Sequence, residues 1–212
     1  MSELDIKHIS VIDALPVYGN VKTILEVGAG RCKIASYLAD MGYDVTVLDI
    51  EPRDNWKDLK EHKNLTLVVG DIFDYTSAAL PYEEYDVVIC SEVLEHLPEY
   101  KKAFKNLKTL ATHRLVITVP HAFSFAEPGI PPIGHCNFWY SNNSWKDFPA
   151  QTETEFRGKD MVIIAEPKLI SEFISMSHPC SISISKIRTK PEDTKNGQCC
   201  YLMVIDKRQH YG

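Results

Sequence analysis

A chain of 212 residues, 44% of them hydrophobic, is long enough to bury one α/β core. Its net charge of −6 argues against broad nonspecific nucleic-acid binding, which rests on many phosphate-neutralising cations, but leaves room for a local basic patch. Asp, Lys, His or Pro interrupts every early apolar stretch, so neither a signal peptide nor a bilayer-spanning run is expected; the reading is a soluble, cytoplasmic protein with no membrane partner. Cysteines 32, 90, 136, 180, 199 and 200 form no C-x-x-C pair and read as reduced, mostly buried thiols.

In chain order, residues 1–20 carry Leu4, Ile6, Ile9, Val11, Ile12 and Leu15 in a loosely amphipathic pattern. They read either as a helix lying across a pocket or as a packed terminus. An apolar strand, Thr23 to Val27, runs into Gly28-Ala29-Gly30. Residues 33–41 have apolar positions 34, 35, 38 and 41 at helical spacing, and Gly42 stops that helix. Val45 to Asp49 is a second strand, Leu65 to Val69 a third closed by Gly70-Asp71, and Tyr85 to Cys90 a fourth, apolar enough to be buried on both faces. A helix from about Glu99 to Leu110 leads to a fifth strand, Leu115 to Val119, stopped by Pro120. Strands alternating with helices imply a parallel sheet with right-handed crossovers. After a helix from Pro167 to Met176, residues 181–188 alternate, 191–197 are turn-rich and 199–206 are apolar, which predicts an antiparallel hairpin.

Residues 121–165 interrupt this order. Phe123, Phe125, Phe138, Trp139, Tyr140, Trp145 and Phe148 stand there among four prolines, in a connection without clear periodicity that leaves the carboxyl edge of the sheet. The segment reads as a substrate-side insertion or as an aromatic mini-core. The organisation expected is one domain over 1–212, with 1–20 as a cap segment.

The glycine turn distinguishes between two nucleotide-binding types. A nicotinamide site wants a third small residue where Lys33 stands, and Glu26 at the strand end would repel a pyrophosphate while attracting an ammonium and a sulfonium. Glu26-x-Gly28-x-Gly30, with Asp49 about twenty residues on, resembles the first two motifs of the class I S-adenosylmethionine-dependent methyltransferases. That resemblance covers roughly residues 20–206. It implies a Rossmann-like, seven-stranded, mostly parallel sheet with a C-terminal antiparallel hairpin and helices on both faces. It also implies that Asp49 holds the ribose hydroxyls, that Gly28, Ala29 and Gly30 admit the methionine part, and that Ile50, Asp71, Ile72 and Ser91 complete the cofactor pocket. Gly70-Asp71-Ile72 is similar to the family's third motif, in which the acid or its neighbour meets the adenine amino group; Asp71 is equally suited to N-cap a helix beginning at Phe73.

Glu92-Val93-Leu94-Glu95-His96-Leu97 follows the fourth strand. A helical turn there would gather Glu92, Glu95 and His96 on one side. The motif resembles that of ubiquinone-type O-methyltransferases and of small-RNA 3′-terminal 2′-O-methyltransferases. Members of both groups use the two acids and the histidine, with a later histidine here matched by His135, to hold a divalent cation. The resemblance thus implies a site of Glu92, Glu95, His96 and His135 for Mg²⁺, Mn²⁺, Fe²⁺ or Zn²⁺; without a metal, His96 or His135 is the general base and Glu92 a neighbouring catalytic acid group.

The leading function is methylation of a hydroxyl on a small molecule or sugar. An alternative is ribose 2′-O-methylation of RNA, supported by the row Lys101, Lys105 and Lys108 with Lys102 and Arg114 beside it. An NAD(P)-binding oxidoreductase is a third class, but its Tyr-x-x-x-Lys pair occurs only as Tyr18 and Lys22, ahead of the glycine turn.

Overall fold

The computed structural model describes residues 4–16, 20–121, 137–140, 162–188 and 199–207. Its centre is a seven-stranded sheet. Strands β1 (Thr23–Val27), β2 (Asp44–Asp49), β3 (Leu65–Val69), β4 (Tyr85–Ser91) and β5 (Ala111–Pro120) are mutually parallel. A C-terminal hairpin, β8 (Ser181–Arg188) and β9 (Cys199–Asp206), adds to β5 antiparallel, giving the order β3-β2-β1-β4-β5-β9-β8. Strands β6 (Asn137–Tyr140) and β7 (Val162–Ala165) form a separate parallel pair inside the expected insertion. The helices are α1 (Ile6–Asp13), α2 (Lys33–Asp40), the single turn α3 (Trp56–Leu59), α4 (Tyr100–Leu110) and α5 (Glu166–Ser177).

The two-residue period of the strands sorts the core into two layers. Leu25, Val27, Val88, Leu115, Ile117, Val119, Tyr201 and Met203 face α4 and α5, where Phe104, Leu107, Leu169 and Phe173 are fully buried. Ile24, Val45, Val47, Val87, Ile89 and Val116 face the other way, against Val11 of α1 and Ile34, Ala35 and Leu38 of α2. Both faces of the parallel strands are covered, which explains their unbroken apolar runs.

Basic side chains close two helices. Lys108 donates from Nζ to the carbonyls of Met176, Ser177 and His178 at 3.0, 3.0 and 2.7 Å, capping α5. Lys207 donates to the carbonyls of Lys108 and Ala111 at the end of α4. Such cations satisfy orphan carbonyls and suit the negative end of the helix dipole. Arg114 is spent similarly, its Nε on Asp206 Oδ1 at 2.6 Å and its Nη1 on the Ala14 carbonyl at 2.7 Å, where α1 ends. No helix among the described residues is long and apolar enough to cross a membrane.

Candidate active site

The strand order turns back between β1 and β4, and in open α/β sheets ligands bind outside the carboxyl ends at such a switch point. The glycine turn after β1, Asp49 at the end of β2 and the Glu92–His96 stretch after β4 all open onto that edge.

The turn is fixed by its neighbours. Gly28 has φ +70 and its N–H donates to the Leu48 carbonyl at 2.8 Å; a Cβ added there would stand 2.3 Å from Cγ2 of Val93. Gly30 has φ +52, and a Cβ on it would meet nothing within 4 Å. One glycine is therefore sealed by the post-β4 motif while the other faces open space, as a backbone that must admit a ligand requires. The Gly30 N–H donates to Asp49 Oδ2 at 3.1 Å, and Trp56 Nε1 donates to the Gly30 carbonyl at 3.4 Å. Asp49 is 6% exposed, and the next residue, Ile50, is 69% exposed, placing an apolar platform beside a buried acid. A nucleoside needs both: an acceptor for its ribose and a surface for its base.

Glu26 is placed by α2. Cys32, at the N-cap of that helix, supplies no side-chain cap bond, and Glu26 Oε2 instead accepts the Ala35 N–H at 2.8 Å, satisfying a first-turn donor from the end of β1. Burial pushes the Glu26 carboxyl up to about 8, with the charge of Asp49 adding to the shift and the Ala35 N–H opposing it. Asp71 proves to be the N-cap of a short 3₁₀ helix, Ile72–Ser77, accepting from Phe73 N at 2.8 Å. The Ile72 side chain lies in the core, so only its backbone is left for a cofactor, and its carbonyl accepts from Asn106 Nδ2 at 2.8 Å.

The post-β4 motif departs from the helical turn expected of it. Only Leu94–His96 is helical, as a single 3₁₀ turn, and Glu92 has φ +57, outside it. The cause is β5: the Glu92 N–H donates to the Thr118 carbonyl at 3.0 Å, prolonging the sheet pairing by one residue, and Thr118 Oγ1 donates to Glu92 Oε1 at 3.0 Å. Ser91 Oγ stands 2.8 Å from the same hydroxyl. Glu95 is 1% exposed and its carboxyl is held well above the usual range, by burial first and by Glu92 second, with Lys7 opposing. His96 is far more exposed, its Nε2 3.9 Å from Glu95 Oε1. Among the described residues no three His, Cys, Asp or Glu form a group able to hold a metal ion. His135 lies outside the described residues, as do Phe123, Phe125, Trp145 and Phe148.

Three participants escaped the sequence reading: Lys7, whose Nζ is 3.6 Å from Glu92 Oε2; Trp56; and Thr118. An aromatic in the polar stretch soon after Asp49 was the one available signal. The other two reach the site through long-range contacts.

Fold and turn define a Rossmann-like α/β protein. Residues 25–113 match the family model described as Methyltransferase domain. The ubiquinone biosynthesis O-methyltransferase of Nitrosomonas europaea is 33% identical over 105 residues, 47% of this chain and 43% of that protein. The chain spans less than half the length of the curated relatives it matches. A Mesorhizobium loti S-adenosylmethionine-dependent methyltransferase shares the fold with TM-score 0.63 at 14% identity, covering 93% of this chain and 96% of its own. So does Burkholderia thailandensis 1,6-didemethyltoxoflavin-N1-methyltransferase, bound to its substrate and S-adenosylhomocysteine, with TM-score 0.61 at 16% identity over 95% and 76%. Over residues 25–113 and in its fold the chain is thus similar to S-adenosylmethionine-dependent methyltransferases.

Proposed function

We propose that the chain transfers the methyl group of S-adenosylmethionine to a hydroxyl of a small molecule or sugar. The observation that carries this is the conjunction at the switch point: an open-faced Gly30 bonded to a buried Asp49, with exposed Ile50 beside it and Glu26 beneath. One Asp49 oxygen holds Gly30 and the carboxylate remains an acceptor for the ribose. In the transfer the acceptor oxygen attacks the methyl carbon, the carbon–sulfur bond breaks, and the hydroxyl proton leaves to a base. His96 is that base, exposed to the cleft and backed by Glu95, while Glu92 orients the hydroxyl. The aromatic composition of the segment 121–165 suits it to the acceptor side.

Oxygen is favoured over nitrogen because the N/D-P-P-Y/F motif that amino methylation would place after β4 is replaced by Cys90-Ser91-Glu92-Val93, and because the Nitrosomonas europaea relative is named an O-methyltransferase. A small acceptor is favoured over RNA because the basic row is engaged within the fold. Lys101 pairs with Glu172 at 3.1 Å, Lys108 and Arg114 close helix ends, and Lys102 stands 5.4 Å over the Phe73 ring. The groove of about 560 Å³ that Lys101, Lys105, Lys108 and Lys207 line runs down α4, away from the switch point. A divalent ion on Glu92, Glu95, His96 and His135 would add Lewis-acid polarisation of the hydroxyl, and no step here depends on it.

Calorimetry with S-adenosylmethionine, S-adenosylhomocysteine and NADH tests the reading. Asp49→Ala removes a charge-assisted acceptor, so the methyl donor should bind roughly ten- to a hundredfold more weakly while the fold persists. Unchanged affinity in a folded variant, or tighter binding of NADH by the wild type, would overturn it.

A further inference from the structure

We propose that Lys7 is the resident cation of the Glu92–Glu95 acid pair, a positioning residue that stands where a divalent ion was expected and makes α1 part of the active site. This rests on the methyltransferase reading for its site and adds a component that the motifs do not contain.

The contact joins two held groups. Lys7 Nζ is 3.6 Å from Glu92 Oε2, with both side chains about one-fifth exposed (19% each). Glu92 is aimed by its left-handed backbone and by Thr118, which donates to Oε1, so its two carboxylate oxygens are divided between a hydroxyl and an ammonium. Helix α1, which carries Lys7, is fixed at both ends. Asp5 and His8 form a reciprocal capping box, Asp5 Oδ1 accepting the His8 N–H at 3.0 Å and His8 Nδ1 accepting the Asp5 N–H at 3.2 Å. At the other end Val11 and Leu15 are buried and Arg114 bonds the Ala14 carbonyl. An ammonium delivered by such a helix is preorganised rather than a wandering surface charge.

The charges require such a group. Glu92 is half-buried, with the buried Glu95 three residues on, and a carboxylate in such a setting is costly unless a cation offsets it. Lys7 touches Glu92 and its field also reaches Glu95. A divalent ion on Glu92 would stand within a few ångströms of that ammonium, a strongly unfavourable approach where water screens only partly. Lys7 thus holds the Glu92 carboxylate in place beside the Thr118 hydroxyl with no exogenous ion.

Manganese binding, followed by the electron paramagnetic resonance of free Mn²⁺, tests this on the wild type, Lys7→Arg, Lys7→Met and Lys7→Met/Glu92→Gln. The wild type and Lys7→Arg should take up no stoichiometric Mn²⁺ at sub-millimolar concentration. Lys7→Met, with the like charge gone, should bind one ion at least about a hundredfold more tightly, and the added Glu92→Gln should abolish that gain. A wild type that binds one Mn²⁺ as tightly as Lys7→Met overturns the proposal, and so does a folded Lys7→Met that gains none. Calorimetry with S-adenosylhomocysteine runs alongside: its failure to bind the wild type would overturn the methyltransferase reading alone, since the manganese series is read without cofactor.

Discussion

Gly28→Ala should lower the stability of the folded chain by about 2 to 5 kcal/mol, the sum of a left-handed backbone penalty and overpacking against Val93. The two terms are separable. Gly28 has φ +70, and the new Cβ would lie 2.3 Å from Val93 Cγ2 and 3.4 Å from its Cβ and Cγ1. Val93 cannot withdraw easily, because it precedes the buried Leu94 and joins the 3₁₀ turn, whose His96 N–H donates to the Val93 carbonyl at 2.9 Å. Truncating it in the double variant Gly28→Ala/Val93→Ala should restore the overpacking share, roughly 1 to 3 kcal/mol, and leave the backbone share. Gly30→Ala should behave differently: at φ +52 with nothing within 4 Å, it should cost about 1 to 2 kcal/mol of stability yet weaken cofactor binding by intruding on the open side. Urea denaturation of the three variants and the wild type decides the matter, and wild-type stability in Gly28→Ala would mean that Val93 does not seal the turn.

The elements that were legible in the sequence are those whose reason is local. The strands Leu65–Val69, Ser181–Arg188 and Cys199–Asp206 stand where unbroken or alternating apolar runs put them, and α2 and α4 begin and end within a residue or so of their periodic patterns. The glycine turn and Asp49 were readable because positive φ and a strand-end acid leave a mark on residue type. The stretch after β4 misled for a physical reason: spacing of i, i+3 and i+4 over six residues is satisfied equally by one helical turn and by a strand extension followed by a 3₁₀ turn. The choice was made by the Thr118 carbonyl, which takes the Glu92 N–H. Long-range partners were invisible for the same reason. Nothing around Lys7 announces that its ammonium meets Glu92, and the Lys101–Lys108 row looks like a binding face until Lys108 is found capping α5. Of the two compatible roles offered for Asp71, the helix N-cap is the one with a bond in the fold, from Phe73.

The wild type should lose more stability on alkalinisation than Glu26→Gln, by about 2 to 3 kcal/mol between about pH 6 and about pH 9. The sign follows from the direction of the shift. The Glu26 carboxyl is raised from 4.5 to about 8, by burial above all, so below the unfolded value both states are protonated and its contribution to folding is fully present. Between the two values only the unfolded chain ionises, and stability falls by about 1.4 kcal/mol per pH unit. Once the folded carboxyl ionises, near 8, the loss levels off. Glutamine mimics the protonated acid: it keeps an oxygen to accept the Ala35 N–H and cannot ionise, so the difference between the two melting curves isolates Glu26 from every other titrating group. For a chain of this size the expected divergence in Tm is about 5 to 10 °C. The same carboxyl links protons to the cofactor. A ligand bearing an ammonium and a sulfonium stabilises the charged form of Glu26, so binding near neutral pH should release a proton, measured as a dependence of the calorimetric enthalpy on the ionisation heat of the buffer. Glu26→Gln should abolish that release. Parallel melting curves for the two proteins, with no proton released by the wild type, would mean that Glu26 ionises normally in the fold and carries no part of the ammonium's recognition.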